Sequence, residues 1–336
     1  MPHTSPPFAE QVNFTRYNNQ QYGHYESFFQ RANHPARPLA FWIRYTIFSP
    51  RNRPQDAIGE LWAVYFNGET GQHVVAKKEV ALQQCTFSTS AFFVDVDGAQ
   101  LKPGQLSGAV DSKENFMEWE LTYHSDENPL FLLPTQLYTT KLPAAKSLVG
   151  APLAAYNGHL TVNGERIDVV NWVGSQNHNW GSKHTDLYAW GQVAGFDAQP
   201  DSFLEVATAR LKIGPFWTPN MTLLVLRHQG KEYELNCILQ SLRAQGSFTY
   251  FTWHFKSETK DVTVEGTISA TREAFVGLNY YNPPGGNKQC LNTKIASCNL
   301  QFTDKQAKTE ELLSTSNRAA FEIMTDDTNS GIAIRA

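Results

Sequence analysis

The sequence predicts an all-β protein made of antiparallel barrels or sandwiches. Aromatic residues make up 12% of the 336 residues, and such side chains suit pleated, half-buried strands. Alternation of apolar and polar residues with a period of two recurs along the chain, whereas helical periodicity is scarce. Turns rich in Gly, Pro and Asn separate the alternating runs, which is typical of antiparallel sheets and not of a parallel one.

The alternating runs predict strands from the first third of the chain onward. In LAFWIRYTIF, Phe41 and Ile43 share one face while Trp42 and Arg44 share the other, and both faces are partly apolar. Further strands are predicted at residues 61–66, 91–96, 116–123, 188–196, 203–211, 221–227, 248–255 and 262–270. Asn163-Gly164 between alternating apolar positions predicts a two-residue hairpin. Residues 305–313 are open to either a short helix or a strand.

The chain is long enough for two ordinary domains. Residues 141–158 interrupt the strand pattern with Pro, Gly and small residues, so we expect a domain boundary near residue 150. Residues 1–150 would then form an N-terminal β-barrel, and residues 151–336 a C-terminal β-barrel.

Composition narrows the function classes. A net charge of −4 provides no basic face for nucleic acid, so we expect no nucleic-acid partner. No segment approaches the roughly 20 apolar residues that cross a bilayer. The stretch MPHTSPPFAEQ lacks the basic start and apolar run of a secretory signal. We therefore expect a cytoplasmic protein, and leave transient contact with a membrane surface and the oligomeric state open.

The cysteines and histidines do not form a recognisable metal or disulfide pattern. Four scattered cysteines without a CxxC pair favour free thiols, with a bridge between Cys290 and Cys298 as the less favoured alternative. His178 and His184 are six residues apart, but no third ligand stands at a telling spacing, so we expect no metal. No nucleophile elbow or phosphate loop is present either, and we expect no cofactor.

Residues 171–192, NWVGSQNHNWGSKHTDLYAWGQ, are the most informative stretch. Large aromatics mixed with imidazoles and amides predict a cavity wall in the second barrel, because polar groups that follow aromatics inside must be hydrogen-bonded. His178 between two amides would be fixed in one tautomer and able to shuttle a proton. Asp186 would share a strand face with His184, and a buried carboxyl there would have a raised pKa. The alternative is that these groups only hold a barrel mouth closed.

Charged residues also interrupt aromatic runs elsewhere: Glu26, Arg44, Glu118, Glu205 and His254. An outward-facing strand position is the favoured interpretation for each of them. A buried ion pair of Arg44 with an acid such as Glu26 is the alternative. The run FVGLNYYNPPGGNKQCLNTK, residues 275–294, either lies beside the 176–192 stretch or forms a turn-rich connection.

Several segments together resemble a known group: ESFFQRANHP…LAFWIRYTIFSP, GELWAVYF, QNHNWGSKH…YAWGQ and FVGLNYYNP…CLNTK. The chain resembles the lipocalin-like proteins related to carotenoid 1,2-hydratase (hydroxyneurosporene synthase) and to the AttH-type domain. Tocopherol cyclase and certain fungal Diels–Alderases are more distant relatives. The resemblance extends from about residue 22 to about residue 334, and its most specific part is the HNWG…W pattern at residues 178–190.

The resemblance implies two consecutive lipocalin-like antiparallel β-barrels with an apolar cavity at or between them. It also implies cofactor-independent action on terpenoid or polyketide-like ligands. For the hydratases, the implied chemistry is protonation of an isolated double bond and capture of the cation by water. Where the hydratases place an acid close after an aromatic, this chain has Tyr188-Ala189-Trp190. Asp186 or Glu205 would have to substitute for that acid. Aromatic faces such as Trp180, Tyr188 and Trp190 would stabilise the cation.

These inferences give two functional hypotheses. The first is a cofactor-independent hydratase, isomerase or cyclase that acts on an apolar unsaturated, isoprenoid or carotenoid-like ligand in a β-barrel cavity. The alternative is a non-catalytic carrier of a lipid or isoprenoid. The predicted catalytic residues are His178, Asp186 and Tyr188. The predicted ligand-binding residues are Gln176, Asn177, Asn179, Trp180, His184, Trp190, Gln192, Glu205, Tyr280, Asn282 and Asn292.

Overall fold

Two large antiparallel sheets carry almost all the regular structure of the chain, which a computed structural model describes over residues 8–336. Residues 1–7 lie outside the described part, and with them most of the stretch used above to argue against a secretory signal. The described helices are short: α1 (Phe8–Gln11), α2 (Ile238–Arg243) and the 3-10 turns Pro54–Asp56, Leu82–Gln84, Thr135–Thr139 and Arg272–Ala274. No helix within residues 8–336 combines the length and the apolar character that crossing a bilayer requires.

The first sheet has twelve strands in the order β4-β3-β2-β1-β12-β11-β9-β8-β7-β6-β5, with β10 paired to β11. Their bounds are β1 (His24–Asn33), β2 (Leu39–Ser49), β3 (Ile58–Asn67), β4 (Val74–Ala81), β5 (Cys85–Phe87), β6 (Val94–Val96), β7 (Ala99–Lys102), β8 (Gln105–Asp111), β9 (Phe116–His124), β10 (Leu130–Phe131), β11 (Ala145–Val162) and β12 (Glu165–Gly181). Asn115, just after β8, donates its side-chain amide to the carbonyl of Val75 on β4 at 3.0 Å, which links two strands that are distant in the sheet order. We call this near-closed sheet the first barrel.

The second sheet has ten strands in the order β18-β17-β14-β13-β24-β23-β21-β20-β19, with β22 paired to β23. The bounds from β13 onward are β13 (Leu187–Ala194), β14 (Phe203–Arg210), β15 (Lys212–Ile213), β16 (Phe216–Trp217), β17 (Met221–His228), β18 (Lys231–Leu235), β19 (Gln245–Thr249), β20 (Thr252–Glu258), β21 (Val262–Ser269), β22 (Val276–Tyr281), β23 (Asn287–Asp304) and β24 (Thr309–Thr325); β15 and β16 form a separate hairpin. Asn220 donates to the carbonyl of Gly246 on β19 at 2.6 Å, across the gap between distant strands. We call this sheet the second barrel.

Each barrel encloses its own apolar core, because alternate residues of its strands point inward. In β9, Trp119 and Leu121 are buried while Glu118 and Glu120 are exposed. The first core also contains Phe28, Phe41, Tyr156 and Trp172, and the second contains Leu224, Trp253, Ile268, Leu300 and Phe321. Two further apolar clusters contain residues of both sheets and hold the barrels together. The predicted all-β fold of two consecutive lipocalin-like antiparallel barrels is confirmed.

Most predicted strands are confirmed, with two differences of detail and one alternative decided. Residues 248–255 form a hairpin that turns at Tyr250-Phe251, not one strand. Within residues 91–96 only Val94–Val96 is a strand. Residues 305–313 contain a turn followed by the start of β24, so the strand alternative was correct there. Asn163 and Gly164 both adopt positive φ, 49° and 88°, as the predicted two-residue hairpin requires.

The two sheets divide between Gly181 and Leu187, and not near residue 150. Residue 150 lies inside β11, which keeps its pairing with β12 through register shifts between Val149 and Ala154. These irregularities accommodate the Gly, Pro and small residues that suggested a linker. The 171–192 stretch is therefore the crossover that ends the first barrel and begins the second.

All four cysteines are free thiols, as the sequence favoured. Cys290 and Cys298 lie on the same strand, β23, and are both buried. Eight residues of extended chain separate them by about 26 Å, which is too far for a disulfide.

Candidate active site between the barrels

A cavity of about 610 Å³ lies between the facing surfaces of the two barrels, where the resemblance allowed it, and not inside the second barrel, where residues 171–192 alone suggested it. Its location follows from the crossover, because β12 presents residues from the first barrel while β13 presents residues from the second. The first barrel contributes Tyr25, Phe29, Trp42, Arg44, Asn177 and Asn179; the second contributes Tyr188, Trp190, Glu205, Tyr280 and Glu322.

The mouth of the cavity is mainly apolar. It is formed by the connection that leads into β11 and by short elements of the second barrel, with lining residues Leu133, Pro134, Leu137, Leu142, Pro143, Ile213 and Ile238. Leu142, Ile213 and Ile238 are more than half exposed, which is unusual for large apolar side chains. The entrance therefore suits an apolar ligand.

Glu205 is one of two acids that line the cavity. It is 2% exposed, and its carboxylate accepts the indole N–H of Trp190 at 2.7 Å and the amide N–H of Gln192 at 2.8 Å. Burial raises the pKa of Glu205 to about 7, against the opposing effect of these two hydrogen bonds. A substantial fraction of this carboxyl therefore retains its proton at neutral pH.

The carboxyl of Glu205 is held by a chain of buried amides. Gln192 also donates to Asn177 at 2.8 Å, and its own oxygen accepts hydrogen bonds from Arg31 and Ser175, each at 2.6 Å. These contacts join the two barrels behind the cavity wall. Because Gln192 is fully buried and uses both ends of its amide, its orientation is set and so is that of Glu205.

A second acid, Glu322 on β24, reaches the same cavity. Its carboxylate accepts the ammonium of Lys294 at 2.6 Å and the amide of Asn292 at 3.0 Å. Lys294 is fully buried, and burial lowers its pKa. Sequence reasoning missed Glu322, although it interrupts the apolar run AAFEIM as Glu205 interrupts FLEVA.

Arg44 lines the cavity but does not pair with Glu26, so the alternative of a buried ion pair between them was wrong. Its guanidinium donates to the hydroxyl of Ser27 at 2.6 and 2.9 Å and lies 4.3 Å from the ring centre of Tyr280. The favoured outward position was also wrong for Arg44, Glu26 and Glu205, which are all buried. It was correct for Glu118 and His254, which are exposed.

His178 contributes to the cavity lining, but both of its ring nitrogens are engaged elsewhere. One nitrogen bonds the Glu26 carboxylate at 2.8 Å, the other bonds the carbonyl of Val12 at 3.0 Å, and the ring stacks on Phe28. Glu26 also accepts from His24 and from the backbone N–H groups of residues 16 and 17. This network fixes the N-terminal segment, residues 12–17, to β1 and β12.

The network keeps Glu26 ionised. Burial alone would raise its pKa, but the hydrogen bonds from His178 and His24 outweigh burial and lower the pKa to about 2. Gln176 also fixes the N-terminal segment, because its side-chain amide donates to the side-chain oxygen of Asn13 at 2.9 Å. Trp180 lies beside His178, with ring centres 4.7 Å apart. These predicted site residues surround the N-terminal segment.

His184 and Asp186 lie at the other end of the crossover. His184 is buried and stacks on Tyr25, and burial lowers its pKa to about 3, so its ring is neutral. Asp186 accepts from Lys183 at 2.8 Å and from the backbone N–H of Lys212 at 2.9 Å. Partial burial would raise the pKa of Asp186, but these contacts outweigh it and lower the pKa. Asp186 is therefore ionised at neutral pH.

Of the predicted site residues, the cavity is lined by His178, Tyr188, Asn177, Asn179, His184, Trp190, Glu205 and Tyr280. Six others lie outside the lining: Gln176, Trp180, Asp186, Gln192, Asn282 and Asn292. Of the two alternatives for the 275–294 run, a position beside the 176–192 stretch is correct, because the backbone N–H of His184 donates to Asn282 at 3.1 Å.

Comparison with known proteins agrees with this architecture. The tocopherol cyclase-like family model matches residues 53–324 of this chain. No curated protein matches the chain significantly. Among solved structures, an AttH-type protein from Nitrosomonas europaea is similar over 97% of this chain and 98% of that chain, with 12% identity and a TM-score of 0.59.

Two other solved structures share the fold. Kievitone hydratase from Nectria haematococca is similar over 90% of this chain and 89% of that chain, with 12% identity and a TM-score of 0.57. CghA is similar over 90% and 88%, with 10% identity and a TM-score of 0.52. At these identities the likeness concerns the fold. The resemblance to AttH-type proteins and to tocopherol cyclase drawn from the sequence is confirmed.

Proposed function

Because this chain belongs to the tocopherol cyclase-like family, we propose that it is an enzyme that protonates a carbon–carbon double bond of an apolar substrate in the cavity between its barrels. The cation is then captured by water or by a hydroxyl of the same substrate, which makes the reaction a hydration or a cyclisation. The substrate class is an isoprenoid or similarly apolar unsaturated molecule, and the reaction uses side chains without a cofactor.

The observation that carries this proposal is the carboxyl of Glu205. A carboxylic acid with a pKa of about 7 is still partly protonated at neutral pH, and so can act as a general acid where an ordinary Glu cannot. Its surroundings are otherwise mostly apolar, which strengthens any electrostatic interaction with charge that develops on the substrate.

The reaction needs one proton to leave Glu205 and one to return. Transfer of the Glu205 proton to one alkene carbon leaves a carbocation on the other carbon and a carboxylate on Glu205. The faces of Trp190, whose indole N–H donates to Glu205, and of Tyr188, which also lines the cavity, stabilise the cation through their ring quadrupoles. Addition of the oxygen of water, or of a substrate hydroxyl, quenches the cation. The proton released from that oxygen restores Glu205.

The other acidic candidates suit this role less well. Asp186 and Glu26 are both ionised, because their hydrogen-bonded partners lower their pKa values. His178 has both ring nitrogens engaged, so we propose that it positions the N-terminal segment and the β12 wall. Tyr188 keeps the predicted catalytic role as an aromatic face.

Native mass spectrometry of the protein purified from its own host first identifies the bound ligand. Turnover of that ligand is then measured for the wild type, for Glu205→Gln and for Asp186→Asn. We expect Glu205→Gln to lose activity by at least about a hundredfold, the usual contribution of a general acid, and Asp186→Asn to retain it. Equal turnover by the Glu205→Gln variant would contradict the proposal. A ligand that the wild type binds and releases unchanged would favour the carrier alternative.

A further inference from the structure

We propose that the cavity binds an amphiphilic substrate whose acidic oxygen, a carboxylate or a deprotonated phenol or enol, is held by Arg44 and Tyr280. The apolar part of that substrate extends past Trp190 and Glu205 toward the mouth. The inference rests on the proposed function only for the location of the ligand.

Arg44 is a buried cation without a carboxylate partner. It is 4% exposed, and within residues 8–336 it has no salt bridge, since its hydrogen bonds go only to the hydroxyl of Ser27. Taking a guanidinium out of water is costly unless a counter-charge is close by. Burial would lower the pKa of Arg44, but Tyr280, Glu60 and Glu322 outweigh burial and raise the pKa, so the guanidinium stays charged without an anion in direct contact.

The acids around Arg44 each have a lysine closer to them. Glu322 accepts the ammonium of Lys294 at 2.6 Å, and Glu60 forms a salt bridge with the ammonium of Lys77 at 2.9 Å. Both carboxylates act on Arg44, but within residues 8–336 neither is within salt-bridge distance of its guanidinium. An anionic group of the ligand would place a counter-charge in direct contact with Arg44.

The hydroxyl of Tyr280 faces the same part of the cavity. It is buried and makes no hydrogen bond to nitrogen or oxygen in the described part of the chain; the partner it has there is the thiol of Cys290. Tyr280 lines the cavity. Because a thiol is a weak hydrogen-bond partner, an anionic oxygen of the ligand would be a stronger acceptor for this hydroxyl.

The position of Arg44 relative to Glu205 fits an elongated ligand. Arg44 pairs across the strands with Phe29. The rings of Phe29 and Trp190 are perpendicular, with ring centres 6.0 Å apart, and Trp190 donates to Glu205. The anion site and the acid are thus separated by two aromatic side chains. A ligand held by its oxygen at Arg44 would present carbon atoms to Trp190 and Glu205.

Direct binding of two probes tests the inference without any turnover. The probes are geranylgeranoic acid and its methyl ester, titrated at pH 8 while tryptophan fluorescence is followed. The wild type should bind the acid at least about tenfold more tightly than the ester, since charge-assisted hydrogen bonds to a buried guanidinium are the strong ones. Arg44→Gln should lower the affinity for the acid by at least about tenfold and leave the affinity for the ester within twofold of the wild type. Arg37→Gln, which changes an exposed arginine paired with Glu69, should bind like the wild type.

Tyr280→Phe provides a second variant that keeps the ring and loses only the hydroxyl. It should lower the affinity for the acid severalfold, leave the affinity for the ester unchanged and keep the thermal stability of the wild type. Equal affinity of the wild type for acid and ester, binding of neither probe, or an equal loss for both probes in Arg44→Gln would overturn the inference. None of these outcomes bears on protonation by Glu205, which the turnover assay tests separately.

Discussion

Replacing the proposed general acid should remove a loss of stability that the wild type shows as the pH rises. The pKa of Glu205 increases from 4.5 to about 7 on folding, because burial disfavours its charged form. Between these two pH values the folded state holds a proton that the unfolded state has released. Unfolding free energy therefore falls with rising pH in this window, by about 1.4 kcal/mol for each pH unit.

Over the whole window, the ionisation of Glu205 lowers the unfolding free energy of the wild type by about 3 kcal/mol between pH 4 and pH 8. Glu205→Gln removes this pH-dependent cost. The variant loses one of the two hydrogen bonds, because its amide nitrogen cannot accept from Trp190 and Gln192 as the carboxylate does. That loss is independent of pH, so only the pH dependence isolates the carboxyl.

Urea unfolding of the wild type and of Glu205→Gln, measured from pH 4 to pH 8, gives the difference in unfolding free energy at each pH. We expect the variant to gain about 3 kcal/mol on the wild type across this range, with most of the change between pH 4.5 and 7. A difference that stays constant with pH would refute the raised pKa, and with it the proposed general acid.

Three further predictions concern the pKa of Glu205, the hydrogen bonds of Glu26 and the close packing of β1 against β12. Trp190→Phe removes a donor that favours the carboxylate, so the pH above which kcat/KM declines should rise; an unmoved profile would contradict this. Glu26→Gln should lose about 3 kcal/mol of unfolding free energy at pH 7 and almost none near pH 2, because the depressed pKa of Glu26 stabilises the fold above pH 4.5 and ceases to do so as pH falls through about 2. Gly174→Ala should lower Tm sharply, since its Cβ would lie 1.7 Å from the carbonyl oxygen of Arg31; an unchanged Tm would show that β1 and β12 can separate.

Local patterns were sufficient to predict most of the strands. Alternation in β2, β9 and β21, and the Asn163-Gly164 turn, each depend on neighbours in sequence, so they could be read directly. The boundary near residue 150 was misplaced because strand irregularities can accommodate Gly and Pro, and such irregularities depend on the partner strand. The location of the cavity between the barrels depends on packing of whole sheets, which no local pattern encodes.

Only part of the candidate site could be predicted, because local patterns do not encode contacts between distant segments. Composition marked the 171–192 stretch as a cavity wall, and Trp190 and Tyr188 do line the cavity. His178 and Glu26 stand about 150 positions apart, and their pairing follows from the register of β1 with β12. Glu322 gave the same signal as Glu205, a single acid in an apolar run. Only the structure distinguishes the acid that has a lysine partner from the one that has none.

The most direct test of the central claim is the origin of the hydrogen that the product gains. Turnover of the identified ligand in D₂O should place one carbon-bound deuterium in each product molecule, because Glu205 exchanges its proton with solvent and transfers it to the alkene. The Glu205→Gln variant should form no such product. A product without carbon-bound deuterium, or equal labelling by the variant, would contradict protonation by Glu205.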